Sequence, residues 1–295
     1  MVKQSIPRKF WYVIIPIIIF YFIKNFAEIV GMFINMLTNT LFGAFTDTDI
    51  LSSDAFIQGT IGMLISSVAC ILLSVYILTP MWKEAKEQLP IQINKDKPLI
   101  LAIGTIIIYC GIKFLTSYFL HVTYLSEHPT YLPVIEAFHN RSTLEMFVRA
   151  VIVAPIVEEL LCRGVIQNRL MTFMKPRSAV LLQSIIFGII HMNPIQALYA
   201  GLSGIIYGML YVRFRKLWPC ILAHAVFNSY LADWIIKMIS YVVDEITLTH
   251  ILIIGSIFFI IGAFILLKQP AAQAVDEAIE EELNDVYQLL SHAYH

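Results

Sequence analysis

Long apolar runs separated by short polar segments organise this chain. Several runs reach the roughly 20 residues that a helix needs to cross a ~30 Å hydrocarbon layer. Their pattern predicts membrane spans at about 10–36, 56–78, 98–121, 146–168, 178–191, 195–212, 218–239 and 251–267. The expected fold class is all-α: a polytopic membrane helix bundle with about eight transmembrane helices. The first run is too long for a signal-peptide core and is expected to be a retained span. The fifth is short, and Asn193-Pro194 follows it as a turn signal. Helices five and six are therefore expected to form a tight hairpin buried among other helices, because irregular backbone does not face lipid. After the last span, residues 269–295 are acidic. Val275, Ile279, Leu283, Val286 and Leu290 recur there at helical spacing, which predicts a short amphipathic tail helix.

Basic residues orient this map. Lys3, Arg8, Lys9, Lys83, Lys86, Lys95, Lys97, Arg163, Arg169, Lys175, Arg177, Arg213, Arg215, Lys216 and Lys268 fall in one set of alternating segments, and Arg141 alone in the other. By the positive-inside rule both termini are cytoplasmic and the number of spans is even. Composition agrees. The 295 residues are 58% hydrophobic and 14% charged, with a mean hydropathy of +0.75, where soluble domains carry roughly 25% charged residues. A net charge of -1 gives no reason to expect nucleic acid. Cys70, Cys110, Cys162 and Cys220 lie far apart beside or within apolar runs and form no CxxC pair. They read as free, mostly packed thiols. The loops are too short for a soluble catalytic domain, so any chemistry sits among the helices.

A charged side chain at the bilayer centre costs on the order of 3 kcal/mol or more. Lys24 and Glu28 stand one turn apart on the first span and are expected to pair with each other. Lys113 and Lys237 are isolated, and snorkelling explains them without a role. The fourth span differs: it carries Glu158 and Glu159, five and four residues before Arg163 respectively. Adjacent helical side chains diverge by about 100°, so the two carboxylates face different surroundings. The i,i+4 spacing assigns Arg163 to Glu159 as a supporting ion pair. Glu158 is left without a local partner, which suits a general acid or base. His191 ends the fifth span, and His224 and Asn228 share one face of the seventh. Counted at 1.5 Å per residue from the cytoplasmic ends, Glu158, His191, His224 and Asn228 occupy one layer, very roughly 9–20 Å deep.

In order along the chain, Glu158-Glu159…Arg163, Phe187…His191 and His224…Asn228 resemble the motifs of the CAAX-protease and bacteriocin-processing family. This family includes the Abi proteins and the CAAX prenyl endopeptidases that trim Ras-like proteins. The resemblance covers roughly residues 146–230, with Ala154-Pro155 and Gly164 also fitting. Cys162 departs from the aromatic residue expected at its position. The organisation this implies is a unit of three helices over 1–145, a catalytic helical core over 146–239, a last span within 240–268 and the tail over 269–295.

The resemblance implies peptide-bond hydrolysis inside the membrane. Glu158 would activate a water assisted by His191, and His224 and Asn228 would stabilise the oxyanion. A bundle with a cytoplasmic opening would supply water and admit an unfolded substrate end. The family is often classed as a metalloprotease, and Glu158, His191 and His224 would be the zinc ligands if a metal is present. The sequence has no HExxH and no closely spaced histidine pair, and a glutamate-dependent mechanism with no cofactor is the expectation. The implied partners are a peptide or lipidated protein substrate and membrane lipids, in a bacterial plasma membrane. Two rival readings are a catalytically idle immunity or scaffold protein of the same family, and a transporter using the same buried carboxylates. Substrate identity and oligomeric state are not legible.

Overall fold

A computed structural model describes residues 6–43, 51–89, 97–139, 143–241, 243 and 245–272. The expected tail helix, apart from its first four residues, lies outside them, as does Arg141. The described residues are helical and contain no strand. Helix α1 spans Ile6–Gly43, α2 Leu51–Glu87 and α3 Pro98–Val122, and a short α4 follows at Leu132–His139. Residues 143–171 form one helical run, α5. Next come α6 (Pro176–Ile189), α7 (Pro194–Phe214), α8 (Leu217–Asn228), α9 (Leu231–Ile239) and α10 (Leu248–Leu267).

Eight apolar segments thus appear in the expected order, but not as eight uniform spans. Five are long and apolar enough to cross a membrane: Ile6–Thr38, Thr60–Glu87, Pro98–Val122, Pro194–Phe214 and Leu248–Leu267. Helices α6 and α8 are shorter. The expected seventh span, 218–239, is split. Ser229 adopts extended backbone (ψ 167°) after Asn228, and its Oγ accepts from Leu231 N at 3.2 Å, starting α9 afresh. The carbonyl freed at that break is taken by Lys113, whose Nζ donates to Ser229 O at 2.8 Å. Lys113 therefore does more than snorkel: it places a cation at the C-terminal end of α8, where helix carbonyls lack partners.

Helix α5 departs most from a regular span. Two π-helical stretches, Phe147–Val153 and Leu160–Gln167, flank an α-helical piece, Ala154–Glu159. Every residue from Glu159 to Met171 is buried, so this half of α5 runs through the bundle centre, as a helix covered on all sides must. Its outer half, before Glu158, is only partly covered. Around it, α1 packs on α2, α3 on α10 and α8, and α6 on α7.

Close approach sets the α6–α7 hairpin. A Cβ on Gly188 would stand 2.6 Å from Ala197 O, so only glycine lets the two backbones meet there. Asn193 caps α7 by accepting from Ile195 N at 3.1 Å and Gln196 N at 3.0 Å, and Pro194 fits the first turn.

The expected Lys24–Glu28 pair is absent. Glu28 instead pairs with Arg149 of α5, whose Nε also lies 3.2 Å from Glu145 Oε1. The guanidinium fork reaches two carboxylates at once, and Lys24 lines a cavity instead.

The basic helix ends gather on one side. Arg169 Nη1 donates to Tyr12 O at 2.6 Å. Lys9 lies over the Phe173 ring at 5.1 Å. Arg213 Nη2 donates to Leu267 O and Gln269 O, each at 2.8 Å.

Candidate active site

One cavity of about 570 Å³ is lined by Glu158, His191, His224 and Asn228, among others. The fold thus brings together the four residues expected to share a layer. His191 is positioned by its own helix end, whereas His224 and Asn228 are positioned by α5.

Glu159 and Arg163 are fully buried, and Arg163 Nη1 donates to Glu159 Oε1 at 2.8 Å. Arg163 Nη2 also donates to Gly204 O at 3.1 Å. The guanidinium lies against the Phe187 and Tyr207 rings, 4.4 and 4.8 Å from their centroids. The sequence assigned Glu159 to Arg163 alone. In the fold its Oε1 also meets His224 Nδ1 at 2.9 Å. A carboxylate only accepts, so His224 Nδ1 carries the hydrogen and Nε2 is left facing the cavity. That Nε2 is 3.9 Å from Glu158 Oε2. This is too long for a direct hydrogen bond and suits a single atom between them. Glu159 and Glu158 thus address opposite sides of one imidazole. Tyr207 stacks on that ring at 5.3 Å, and Phe187 meets it edge-on at 5.7 Å.

His191 is held by its own helix end. Its Nδ1 lies 2.7 Å from Phe187 O. The carbonyl only accepts, so Nδ1 donates and Nε2 is free to take a proton. The turn behind it is tied to α1, where Tyr21 Oη donates to Ile190 O at 2.7 Å.

Asn228 depends on a proline in another helix. Ala154 N–H donates to Arg149 O, five residues back. In that register the next donor would be the amide of residue 155, which Pro155 lacks. Ala150 O is left to accept Asn228 Nδ2, at 2.9 Å. The amide's second hydrogen remains for the cavity.

Tyr207, Tyr109, Asn168 and Tyr211, none of them marked by a motif, also shape the site. Tyr207 stacks on His224 and also on Tyr109, the latter at 4.8 Å. Asn168 Nδ2 donates to Tyr211 Oη at 2.7 Å, sealing the region below Arg163. No spacing rule marks Tyr207 or Tyr109, since their partners come from other helices. Cys162 is buried, and the four cysteines are free.

Among the described residues no three His, Cys, Asp or Glu side chains converge at metal-holding spacing. Glu158, His191 and His224 line the cavity without standing at metal-holding spacing.

The cavity lies in one half of the bundle. Its lining occupies the halves of the helices away from the basic ends, from Ser117 and Leu120 of α3 to Met146 of α5 and Tyr230 after α8. The side toward the basic ends is filled by the buried half of α5.

Residues 140–230 match the model of the type II CAAX prenyl endopeptidase Rce1-like family. A Bacillus subtilis (strain 168) protein named "Putative membrane peptidase YdiL" is 24% identical over 259 residues, covering 85% of this chain and 99% of that relative. No solved structure matches significantly.

Proposed function

From membership of the CAAX-protease family, which both likenesses support, we propose that this integral membrane protein is an intramembrane endopeptidase using a glutamate-activated water. The observation that carries the reading is His224, fixed by Glu159 through Nδ1 and presenting Nε2 at 3.9 Å from Glu158 in a cavity shared with His191 and Asn228.

In this mechanism Glu158 takes a proton from a water whose oxygen adds to the scissile carbonyl carbon. His191 Nε2 accepts a hydrogen bond from the same water and fixes its direction. The carbonyl oxygen becomes an oxyanion facing Asn228 Nδ2–H and, with Nε2 protonated, His224. Glu158 then delivers its proton to the leaving nitrogen as the C–N bond breaks. Positioned acid–base groups supply about 10²–10⁴-fold in rate, and removing one oxyanion donor costs roughly 3 kcal/mol of barrier. The buried Glu159 carboxylate faces one guanidinium and one imidazole, and the half-buried Glu158 stands on the cavity side of the same imidazole. The substrate is a peptide or a lipidated protein, and a bacterial plasma membrane is the proposed location, in keeping with the Bacillus relative.

The test is cleavage of a mixed peptide and lipopeptide library by the purified protein. Wild type runs beside Glu158→Gln and His224→Ala, each with and without a chelator. Cleavage by wild type alone is expected, and loss on chelation would establish a metal requirement. Equal cleavage by the variants would overturn the site assignment. A wild type that cleaves nothing, yet binds a peptide that Glu158→Gln binds equally, would favour the idle scaffold.

A further inference from the structure

We infer that the active cavity opens on the membrane face opposite the basic helix ends, and that its substrate is an extracytoplasmic segment of an exported or membrane-anchored polypeptide. This rests on the endopeptidase reading for the word substrate; the direction of opening does not.

Three observations carry it. The first is the position of the lining. Ser117 and Leu120 lie in the last turns of α3, Tyr131 in the connection after it, and Met146 at the start of α5. His191 lies in the turn between α6 and α7, and Tyr230 after α8. All six belong to helix ends that alternate with those bearing Arg8, Lys86, Lys97, Arg169, Arg213 and Lys268. Basic residues gathered on one side mark the cytoplasmic face, so the lining belongs to the other.

The second is the floor. Toward the basic side the chain is buried without interruption from Glu159 to Met171. Arg163, Gln167 and Asn168 are each fully enclosed. Gln167 Nε2 is tied to Gly208 O at 2.9 Å, and Trp82 Nε1 to Tyr211 Oη at 3.1 Å. No peptide passes that layer without unpacking the bundle centre.

The third is the wall chemistry. Lys24, Glu28, Lys113 and Arg149 line the outer part of the cavity; Lys24 is exposed, and the Glu28 side chain is 43% exposed. Charges at this depth are stable beside water, not beside acyl chains, so the wall describes a wet entrance. Beside it α9 carries Trp234 at 70% exposure, and Tyr241 just beyond it is at 73%. Such side chains sit at membrane–water boundaries. A substrate arriving from this side meets Lys24 and Arg149 first and Glu158 deeper in.

The test is side-specific thiol labelling of the full chain in cells, with Cys70→Ser as background because Cys70 also lines the cavity. Ser117→Cys reports the cavity, and Lys83→Cys reports the basic end. The probe is a membrane-impermeant sulfonated methanethiosulfonate, applied to intact cells and to inverted vesicles. At least tenfold faster labelling of Ser117→Cys in intact cells is expected, with the opposite preference for Lys83→Cys. Labelling of both cysteines from the same side would overturn the inference, as would a cavity cysteine that labels from neither. Labelling does not depend on turnover, so failure of the endopeptidase reading appears separately, as equal cleavage by wild type and Glu158→Gln.

Discussion

Replacing Arg163 with Met removes a guanidinium that is fully buried, donates to Glu159 Oε1 at 2.8 Å and to Gly204 O at 3.1 Å, and lies between two aromatic rings. Methionine fills much of the volume but leaves the Glu159 carboxylate buried with only His224 to face. Breaking a buried pair from one side costs about 3–5 kcal/mol. At about 2–4 °C per kcal/mol that is a fall of roughly 10 °C in Tm. Glu159→Leu alone strands the guanidinium and costs a similar amount. The double variant removes both charges and regains most of the loss, since an apolar replacement of a buried pair is close to neutral. Glu159 Oε2 and Arg163 Nε have no partner even in the intact pair, which makes it a weak source of net stability. Its work is to hold His224, so the stable double variant still fails to cleave. The assay is a double-mutant cycle on thermal unfolding in detergent, with peptide cleavage measured on all four proteins. A Tm loss equivalent to under 1 kcal/mol for Arg163→Met refutes the reasoning. So do single losses that simply add in the double variant, or full cleavage by that variant.

Other expectations follow from single contacts. Pro155→Ala restores an amide that competes with Asn228 for Ala150 O; turnover of a cleaved peptide should fall by about tenfold, the equivalent of one hydrogen bond, without loss of Tm. Gly188→Ala sets a Cβ 2.6 Å from Ala197 O, so the α6–α7 hairpin must part. A loss of about 1–3 kcal/mol in thermal unfolding is expected, together with reduced cleavage as His191 moves. Tyr21→Phe leaves Ile190 O without its 2.7 Å donor and should cost about 1 kcal/mol, read by the same melting assay.

Apolar run length carried most of the helical architecture, because an apolar span is a local property of sequence. What was not legible depended on contacts between helices. The i,i+4 rule links Lys24 to Glu28, yet Arg149, distant in sequence, claims that carboxylate. Lys113 read as isolated because its acceptor, Ser229 O, exists only where α8 breaks. The four polar residues of the site shared a layer by simple depth counting, since rise per residue is nearly fixed. That Glu159 would orient His224 was hidden: the two are 65 positions apart, and a single Oε1 serves both Arg163 and His224. The π-helical stretches of α5 have no period that hydrophobic patterning detects, and the depth count alone does not say from which side a cavity is entered.

The uninterrupted packing from Glu159 to Met171 also has an electrical consequence. It makes the cavity a blind well, so the bundle can hold water halfway across the bilayer without conducting protons or ions. In a membrane under tension from a voltage, the potential then drops mainly across that packed plug and little of it across the well. Carrying one elementary charge through the full potential is worth about 2.3 kcal/mol per 100 mV, but a charged peptide descending only to Glu158 stays close to the potential of the solution it came from. A peptide in the cavity is thereby insulated from the energised state of the membrane, and the ion gradient is insulated from the cavity.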